Sequence, residues 1–150
     1  ENLRKVNPGI SEREFQEILE ISGLQKVLDQ LQEGISTEIN QFGVPLSQGD
    51  RVTLALARGL MSGPRILLID EALANLDKST QISFFENFSK ISDLKTVIMA
   101  THDLRSTAKF EQIIVLEKGV VVGQGTHDEL LKTCPLYQEL WAMEQKLTGT

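Results

Sequence analysis

The chain has 150 residues, 41% of them hydrophobic, and carries 15 Lys and Arg against 21 Asp and Glu, for a formal net charge of −6. This length and apolar content fit one folded domain, and the acidic balance argues against a nucleic-acid partner. A single cysteine excludes an internal disulfide and a cysteine zinc cluster, and no apolar run approaches the roughly 18–20 residues of a membrane span.

The first third of the chain is predicted to be helical. Ser11 and Glu14 have the spacing of a capping box, and an apolar stripe at helical spacing follows them. This first stripe consists of Phe15, Ile18 and Leu19. Gly23 interrupts the pattern before a second stripe, and Gly34 is predicted to end the second helix. The second stripe consists of Leu24, Val27, Leu28 and Leu31.

A loop and a third helix are predicted next. Residues 35–45 contain a glycine and a proline and show no sustained period, so they are expected to form the loop. Ser47 is a candidate N-cap for a third helix that runs to about Met61 and is ended by Gly63–Pro64.

After Pro64 the pattern changes to short apolar strands. Ile66–Ile69 is a candidate buried strand that leads into Asp70 and Glu71, and Thr96–Ala100 is a second one that leads into His102. Between the strands, a helix capped by Asp77 is predicted. Its apolar residues are Ile82, Phe85 and Phe88.

A hairpin and a helical tail complete the predicted elements. Gln112–Leu116 and Val120–Val122 flank a turn-like Glu117–Lys118–Gly119 and are expected to pair as a hairpin. Thr126 and Glu129 have capping-box spacing and open a C-terminal helical region.

The order strand, helix, strand indicates an α/β fold, in which ligands bind at the carboxyl ends of the strands. Asp70, Glu71 and His102 are expected at that edge. A carboxylate there suits Mg²⁺, a second acid suits an attacking water, and a histidine suits a phosphate. The helix N-terminus at Ser47 also suits a phosphate. Taken alone, each feature is more often an ordinary exposed residue or helix cap.

Together, these segments resemble motifs of ATP-binding-cassette (ABC) ATPases. Leu46-Ser-Gln-Gly-Asp-Arg-Val-Thr-Leu-Ala-Leu-Ala-Arg58 resembles the signature motif and its helix. Ile66-Leu-Leu-Ile-Asp-Glu-Ala72 resembles the Walker B strand with its catalytic glutamate. Ala74-Asn-Leu-Asp77 resembles the D-loop, and Ala100-Thr-His102 the switch histidine.

Other segments are similar to the exporter branch of this family. Glu1–Pro8 is similar to the segment after the Q-loop, and Gly125–Leu131, followed by Tyr137, is similar to the exporter tail. Thr37–Gly43 stands where exporters carry the X-loop that faces the membrane domain, with Gln41 where that loop usually has Glu.

The resemblance implies a role for each matching residue. Asp70 would help hold Mg²⁺, Glu71 would polarise the hydrolytic water, and His102 would contact the γ-phosphate of ATP. Asp77 would organise the dimer interface, and Gln41 would couple to the membrane domain. The signature residues would approach ATP held by a second nucleotide-binding domain; they are Ser47, Gln48, Gly49 and Asp50. The implied partners are that second domain and a transmembrane domain, on the cytoplasmic side of a membrane.

The implied fold is part of a P-loop NTPase core, with a mostly parallel sheet, a C-terminal β-hairpin and helices. Residues 1–64 would form the helical subdomain, and residues 65–150 would form the Walker B and switch-histidine part of the core with a helical tail. No Gly-x-x-x-x-Gly-Lys-[Ser/Thr] occurs in the sequence. The chain is therefore expected to be the C-terminal part of a nucleotide-binding domain, inactive alone without that phosphate cradle.

The signature departs from the family pattern Leu-Ser-Gly-Gly-Gln, because Gln48 replaces a glycine and Asp50 replaces the glutamine. A side chain at position 48 obstructs close backbone approach to a phosphate, and a carboxylate at position 50 repels an anion. With Glu71 and His102 intact, the sequence resembles one member of an asymmetric heterodimer, and a homodimer with a tolerated variation is an equal alternative.

The favoured function is the energy-coupling ATPase domain of an ABC exporter. A non-transport ABC ATPase, acting in translation or DNA maintenance, and a non-catalytic interaction module derived from the ABC fold are the alternatives. Transmembrane helices encoded upstream would decide against the first of these.

Overall fold

The computed structural model describes residues 3–39, 46–87 and 96–147. The chain divides into two compact units, Glu1–Ala100 and Thr101–Thr150, here named the N-terminal and C-terminal units. The boundary predicted between residues 64 and 65 follows the motifs and stays a prediction. None of the helices in the described ranges is long and apolar enough to cross a membrane.

In residues 3–39, 46–87 and 96–100, the N-terminal unit contains four α-helices and two strands. They are α1 (Glu12–Ser22), α2 (Leu24–Asp29), α3 (Gln48–Met61), β1 (Ile66–Asp70), α4 (Lys78–Asn87) and β2 (Thr96–Ala100), with short 3₁₀ helices at Gly34–Ser36 and Ala72–Asn75. As predicted, the Ser11 hydroxyl caps α1 by accepting the Glu14 N–H at 3.2 Å, and α3 begins after Ser47.

The second helix is shorter than its apolar stripe predicts. The N–H groups of Gln30 and Leu31 bond to the carbonyls of Val27 and Leu28, three residues back, at 3.2 and 3.1 Å. These tight turns end α2 at Asp29, and Gly34 begins a 3₁₀ helix instead of ending an α-helix. Of the predicted loop, residues 40–45 lie outside the described residues.

The two strands of the N-terminal unit are parallel and in register from Ile66 opposite Thr96 to Asp70 opposite Ala100. Strand side chains alternate between faces, and in the described residues one face of this sheet packs against the helices. Leu67 and Ile69 are buried in the core, whereas Leu68 is 72% exposed. The prediction of a fully buried strand was therefore wrong for alternate residues.

The core of the N-terminal unit lies between the helices and this sheet. Its most deeply buried apolar side chains are Phe15, Ile18, Leu19, Ala57, Leu60, Met61 and Phe84. In α4 the buried aromatic residue is Phe84, while Ile82 of the predicted stripe is 49% exposed, and Phe88 lies outside the described residues.

Up to residue 147, where the description ends, the C-terminal unit contains a hairpin and three helices. They are α5 (Leu104–Thr107), β3 (Ile113–Glu117), β4 (Val120–Gly125), α6 (His127–Thr133) and α7 (Pro135–Leu147). Lys118 and Gly119 both have positive φ, 49° and 80°, as a two-residue turn between twisted strands requires. The predicted hairpin and the capping box of Thr126 and Glu129 are confirmed.

Both units combine helices and strands in the residues that the structure describes. In the described residues β1 and β2 form a parallel pair and β3 and β4 an antiparallel hairpin, in keeping with the predicted parallel sheet and C-terminal hairpin. The finer prediction of a P-loop NTPase core stays a prediction. Helices α6 and α7 bury one face of the hairpin around Leu130, Cys134 and Tyr137.

Candidate functional site

Asp70 and Glu71 lie where β1 and β2 end together. Asp70 is opposite Ala100 in the parallel register, and the Glu71 N–H donates to the Ala100 carbonyl at 2.9 Å. Both acidic residues are exposed. The two carboxylates therefore stand at the carboxyl edge of the sheet, which is where α/β folds bind ligands.

The backbone of Glu71 is strained. Its φ of 50° and ψ of 3° place it in the left-handed region, and a 3₁₀ turn follows directly at Ala72–Asn75. A residue with a side chain loses on the order of 1–2 kcal/mol in this conformation relative to the right-handed one. The hydrogen bond to the Ala100 carbonyl holds this strained turn in place. The left-handed backbone at Glu71 in turn sets the direction in which its side chain leaves the end of the strand.

His102 follows β2 after one intervening residue and is exposed. The Asp103 N–H donates to the Thr101 hydroxyl at 3.0 Å, and the Asp103 carboxylate caps α5 by accepting the Arg105 N–H at 3.1 Å. His102 belongs to the C-terminal unit and the two acids to the N-terminal unit. Their convergence on one ligand stays a prediction.

The N-terminus of α3 is closed by its own residues. The Ser47 hydroxyl accepts the Asp50 N–H at 3.1 Å, and the Asp50 carboxylate accepts the Ser47 N–H at 3.0 Å. Two donors that a phosphate would seek are thus already bonded, one of them to a carboxylate. Gln48 is exposed and Gly49 is half-buried beside this capping box.

Asp77 is engaged within its own chain. Its carboxylate accepts hydrogen bonds from the Ser79 hydroxyl, from the Thr80 hydroxyl at 2.6 Å and from the Thr80 N–H at 3.0 Å. These bonds, that of Ser79 foremost, hold the pKa of Asp77 well below its ordinary value. Lys26 of α2 donates to the same Ser79 hydroxyl at 2.6 Å.

The predicted role of Asp77 at a dimer interface stays a prediction, and Gln41 lies outside the described residues.

A magnesium ion would need ligands beyond those that this site offers. Among the residues that the structure describes, no three His, Cys, Asp or Glu side chains group so as to hold a metal. Mg²⁺ is usually held by one or two carboxylates together with substrate phosphates. The exposed carboxylate of Asp70 at the strand end fits such a partial contribution.

A partly buried network in the C-terminal unit was not predicted from the sequence. The Tyr137 hydroxyl lies 2.9 Å from His127 Nδ1 and 3.2 Å from Thr107 Oγ1. No local spacing links these three positions, since they come from three different helices.

The chain aligns over most of its length with exporter proteins. It is 36% identical over 132 residues to the leukotoxin export ATP-binding protein LtxB of Aggregatibacter actinomycetemcomitans, which covers 88% of this chain and 19% of that protein. It is 35% identical over 145 residues to the alpha-hemolysin translocation ATP-binding protein HlyB of Escherichia coli, covering 96% of this chain and 20% of that protein. The chain is homologous to ABC exporters.

A solved structure agrees with this homology. A bacterial Atm1-family ABC exporter with ATP bound superposes with a TM-score of 0.82 at 31% identity, over 95% of this chain and 25% of that one. No family model matches the chain. The ABC exporter homologue thus spans about a fifth to a quarter of the length of the relatives it matches.

Proposed function

We propose that this ABC exporter homologue is part of an ATPase domain that couples ATP binding and hydrolysis to export. The observation that carries the proposal is the strained turn at Glu71, which fixes a carboxylate at the shared end of two parallel strands. The strand-end geometry and the similarity to an exporter with ATP bound support the same assignment.

Each residue at this edge then has a chemical task. Glu71 accepts hydrogen bonds from a water and orients it toward the terminal phosphate, as a general base does. His102 donates to the phosphate oxygens on which negative charge develops. Asp70 contributes a carboxylate to Mg²⁺, which when bound neutralises phosphate charge.

The rest of the machinery is proposed to lie on other parts of a transporter. A phosphate-binding loop, absent from this sequence, would cradle the nucleotide. A transmembrane domain and a second nucleotide-binding domain are the proposed partners, at the cytoplasmic side of a membrane.

The test is ATP turnover by a full-length transporter that carries this segment. Glu71→Gln is expected to lower turnover about 100-fold or more while ATP binding is retained, because the water loses its base. The matched control is Glu86→Gln, which neutralises an exposed acid on α4 and is expected to leave turnover unchanged. Normal turnover in Glu71→Gln would refute the proposal.

The isolated chain is expected to hydrolyse no ATP. Phosphate release that requires Mg²⁺ and disappears in Glu71→Gln would show that this chain completes a site without a phosphate loop.

We infer further that the α3 N-terminus belongs to the weak site of an asymmetric pair. Support comes from the Asp50 carboxylate, which occupies the Ser47 N–H and would repel a phosphate. Gln48→Gly with Asp50→Gln is expected to raise turnover at that site, since glutamine retains the capping box without the charge. Gln48→Gly with Asp50→Glu keeps the charge and serves as the control; equal turnover in both variants would contradict the inference.

A further inference from the structure

Among the described residues of the C-terminal unit, Tyr137 is the largest fully buried side chain, at 1% exposure, and its hydroxyl joins three helices. It lies on α7, 2.9 Å from His127 Nδ1 at the start of α6 and 3.2 Å from Thr107 Oγ1 at the end of α5. A buried hydroxyl with partners on both sides resists displacement, because leaving it unpaired costs about 1–3 kcal/mol.

The direction of these hydrogen bonds follows from the proton count. Thr107 donates its single hydroxyl proton to the Leu104 carbonyl at 2.6 Å, so it accepts from Tyr137. Tyr137 has one proton to give, so its oxygen accepts from His127 Nδ1. The result is a relay from His127 through Tyr137 and Thr107 to Leu104, with the His127 proton on Nδ1.

Two further residues of α7 strengthen the same attachment. Glu144 Oε1 lies 3.1 Å from Arg105 Nε of α5, and the Trp141 ring meets the His127 ring edge-on at 4.5 Å between centroids. Residues 137, 141 and 144 recur at helical spacing, so one face of α7 holds both α5 and the start of α6.

Helix α5 is tied closely to His102. Local hydrogen bonds hold the segment between Thr101 and Thr107 together. The Asp103 N–H donates to the Thr101 hydroxyl at 3.0 Å, and the Ser106 hydroxyl donates to the Asp103 carbonyl at 2.7 Å. A shift of Thr107 is therefore transmitted through a four-residue helix to the backbone of His102.

We propose that Tyr137 is a positioning residue for His102: through Thr107 it fixes α5 and with it the segment that presents the histidine. This inference rests on the proposed function, since the task of His102 at the terminal phosphate belongs to it.

The first test is ATP turnover in a full-length transporter that carries this segment. Tyr137→Phe keeps the ring in the core and removes only the hydroxyl. It is expected to lower kcat roughly 3- to 10-fold with KM for ATP unchanged, because a misplaced catalytic group slows the chemical step more than binding. Thr107→Val is expected to have the same effect, and the double variant no further loss, since both remove one relay.

The matched control is Thr133→Val, which removes a hydroxyl of α6 that bonds to the Glu129 carbonyl and does not reach α5. Unchanged kcat in Tyr137→Phe and Thr107→Val, or a change in KM alone, would overturn the proposal. His102→Ala separates the two levels, because full turnover in that variant refutes the proposed function itself, whatever Tyr137→Phe does.

The second test is the tautomer of His127, read by nitrogen NMR of the chain, which has only two histidines. At neutral pH the relay predicts a proton on Nδ1 in the wild type and a shift toward the commoner Nε2 form in Tyr137→Phe. A wild-type Nε2 tautomer would overturn the relay.

Discussion

Glu71 adopts a backbone conformation that a glycine would adopt more readily. The bond from its N–H to Ala100 and the 3₁₀ turn after it hold this conformation at a cost in stability. The strained residue at this strand end, Glu71, is also the one proposed to orient the hydrolytic water. The residue type at position 71 did not predict this strained backbone, because glutamate rarely adopts a positive φ.

At Asp77, the hydroxyls of Ser79 and Thr80 predict how stability depends on pH. The pKa of Asp77 is lowered in the folded chain from its ordinary value of 3.8. Its carboxylate therefore stabilises the fold above that value, and this stabilisation is lost as the pH falls through the folded-state pKa. Urea denaturation is expected to show a stability advantage of wild type over Asp77→Asn at about pH 7 that shrinks toward about pH 3.

The controls for Asp77 separate charge from capping. Asp77→Asn retains a good N-cap, whereas Asp77→Ala is expected to lose about 1 kcal/mol more at neutral pH. A pH-independent difference between wild type and Asp77→Asn would contradict the assignment.

At the scale of elements, the turn between α1 and α2 packs closely against the start of α4. Gly23 has a φ of 77°, and a Cβ placed on it would lie 2.5 Å from Thr80 Cγ2 and 2.9 Å from Thr80 Oγ1. Glycine is required here for the backbone angle and for the contact. Together with the bond from Lys26 to Ser79, this contact joins the first two helices to α4.

Gly63 is the matched position, with a φ of 66° and nothing within 4 Å of an added Cβ. Gly63→Ala is expected to cost about 1 kcal/mol from backbone strain alone. Gly23→Ala is expected to cost roughly 1–3 kcal/mol more, because a neighbour must also move. Chemical denaturation measures both, and adding Thr80→Ser should recover part of the difference. An equal loss of unfolding free energy at the two glycines would show that Thr80 moves away from the added Cβ at no measurable cost.

Elements with strong local signals were predictable from sequence. The N-caps Ser47 and Thr126 predicted the helices that follow them, and Lys118–Gly119 predicted the turn of the hairpin. These signals are readable because capping and turn chemistry act within a few residues. The end of α2 was missed because its apolar stripe continues past the last helical bond at Asp29. Packing between distant elements, as at Tyr137, leaves no periodic trace in the sequence.

The candidate site divides in the same way. The strand-end positions of Asp70 and Glu71 followed from the pattern of apolar runs. The closure of the α3 N-terminus by Asp50 and the engagement of Asp77 by Ser79 did not, because both depend on side-chain rotamers. The tasks assigned to His102 and Gln41 stay predictions.

At the scale of the whole molecule, one face of the parallel sheet in the N-terminal unit carries exposed apolar side chains among the described residues. Ile66, Leu68 and Ile98 share that face and are 60%, 72% and 56% exposed. Parallel sheets are normally covered on both faces. An apolar face of this kind is typical of a surface that packs against further protein, in keeping with relatives about five times as long as the matched stretch.

Each unit has a core of its own, and the chain contains one tryptophan, Trp141, beside His127 in the C-terminal unit. Its fluorescence therefore follows the melting of that unit alone, whereas far-ultraviolet circular dichroism averages the helices of both. Coinciding midpoints mean that the two cores unfold as one cooperative block. Separate midpoints mean that the two units unfold independently of each other. The boundary between them then lies at the peptide bond between Ala100 and Thr101, one residue before His102.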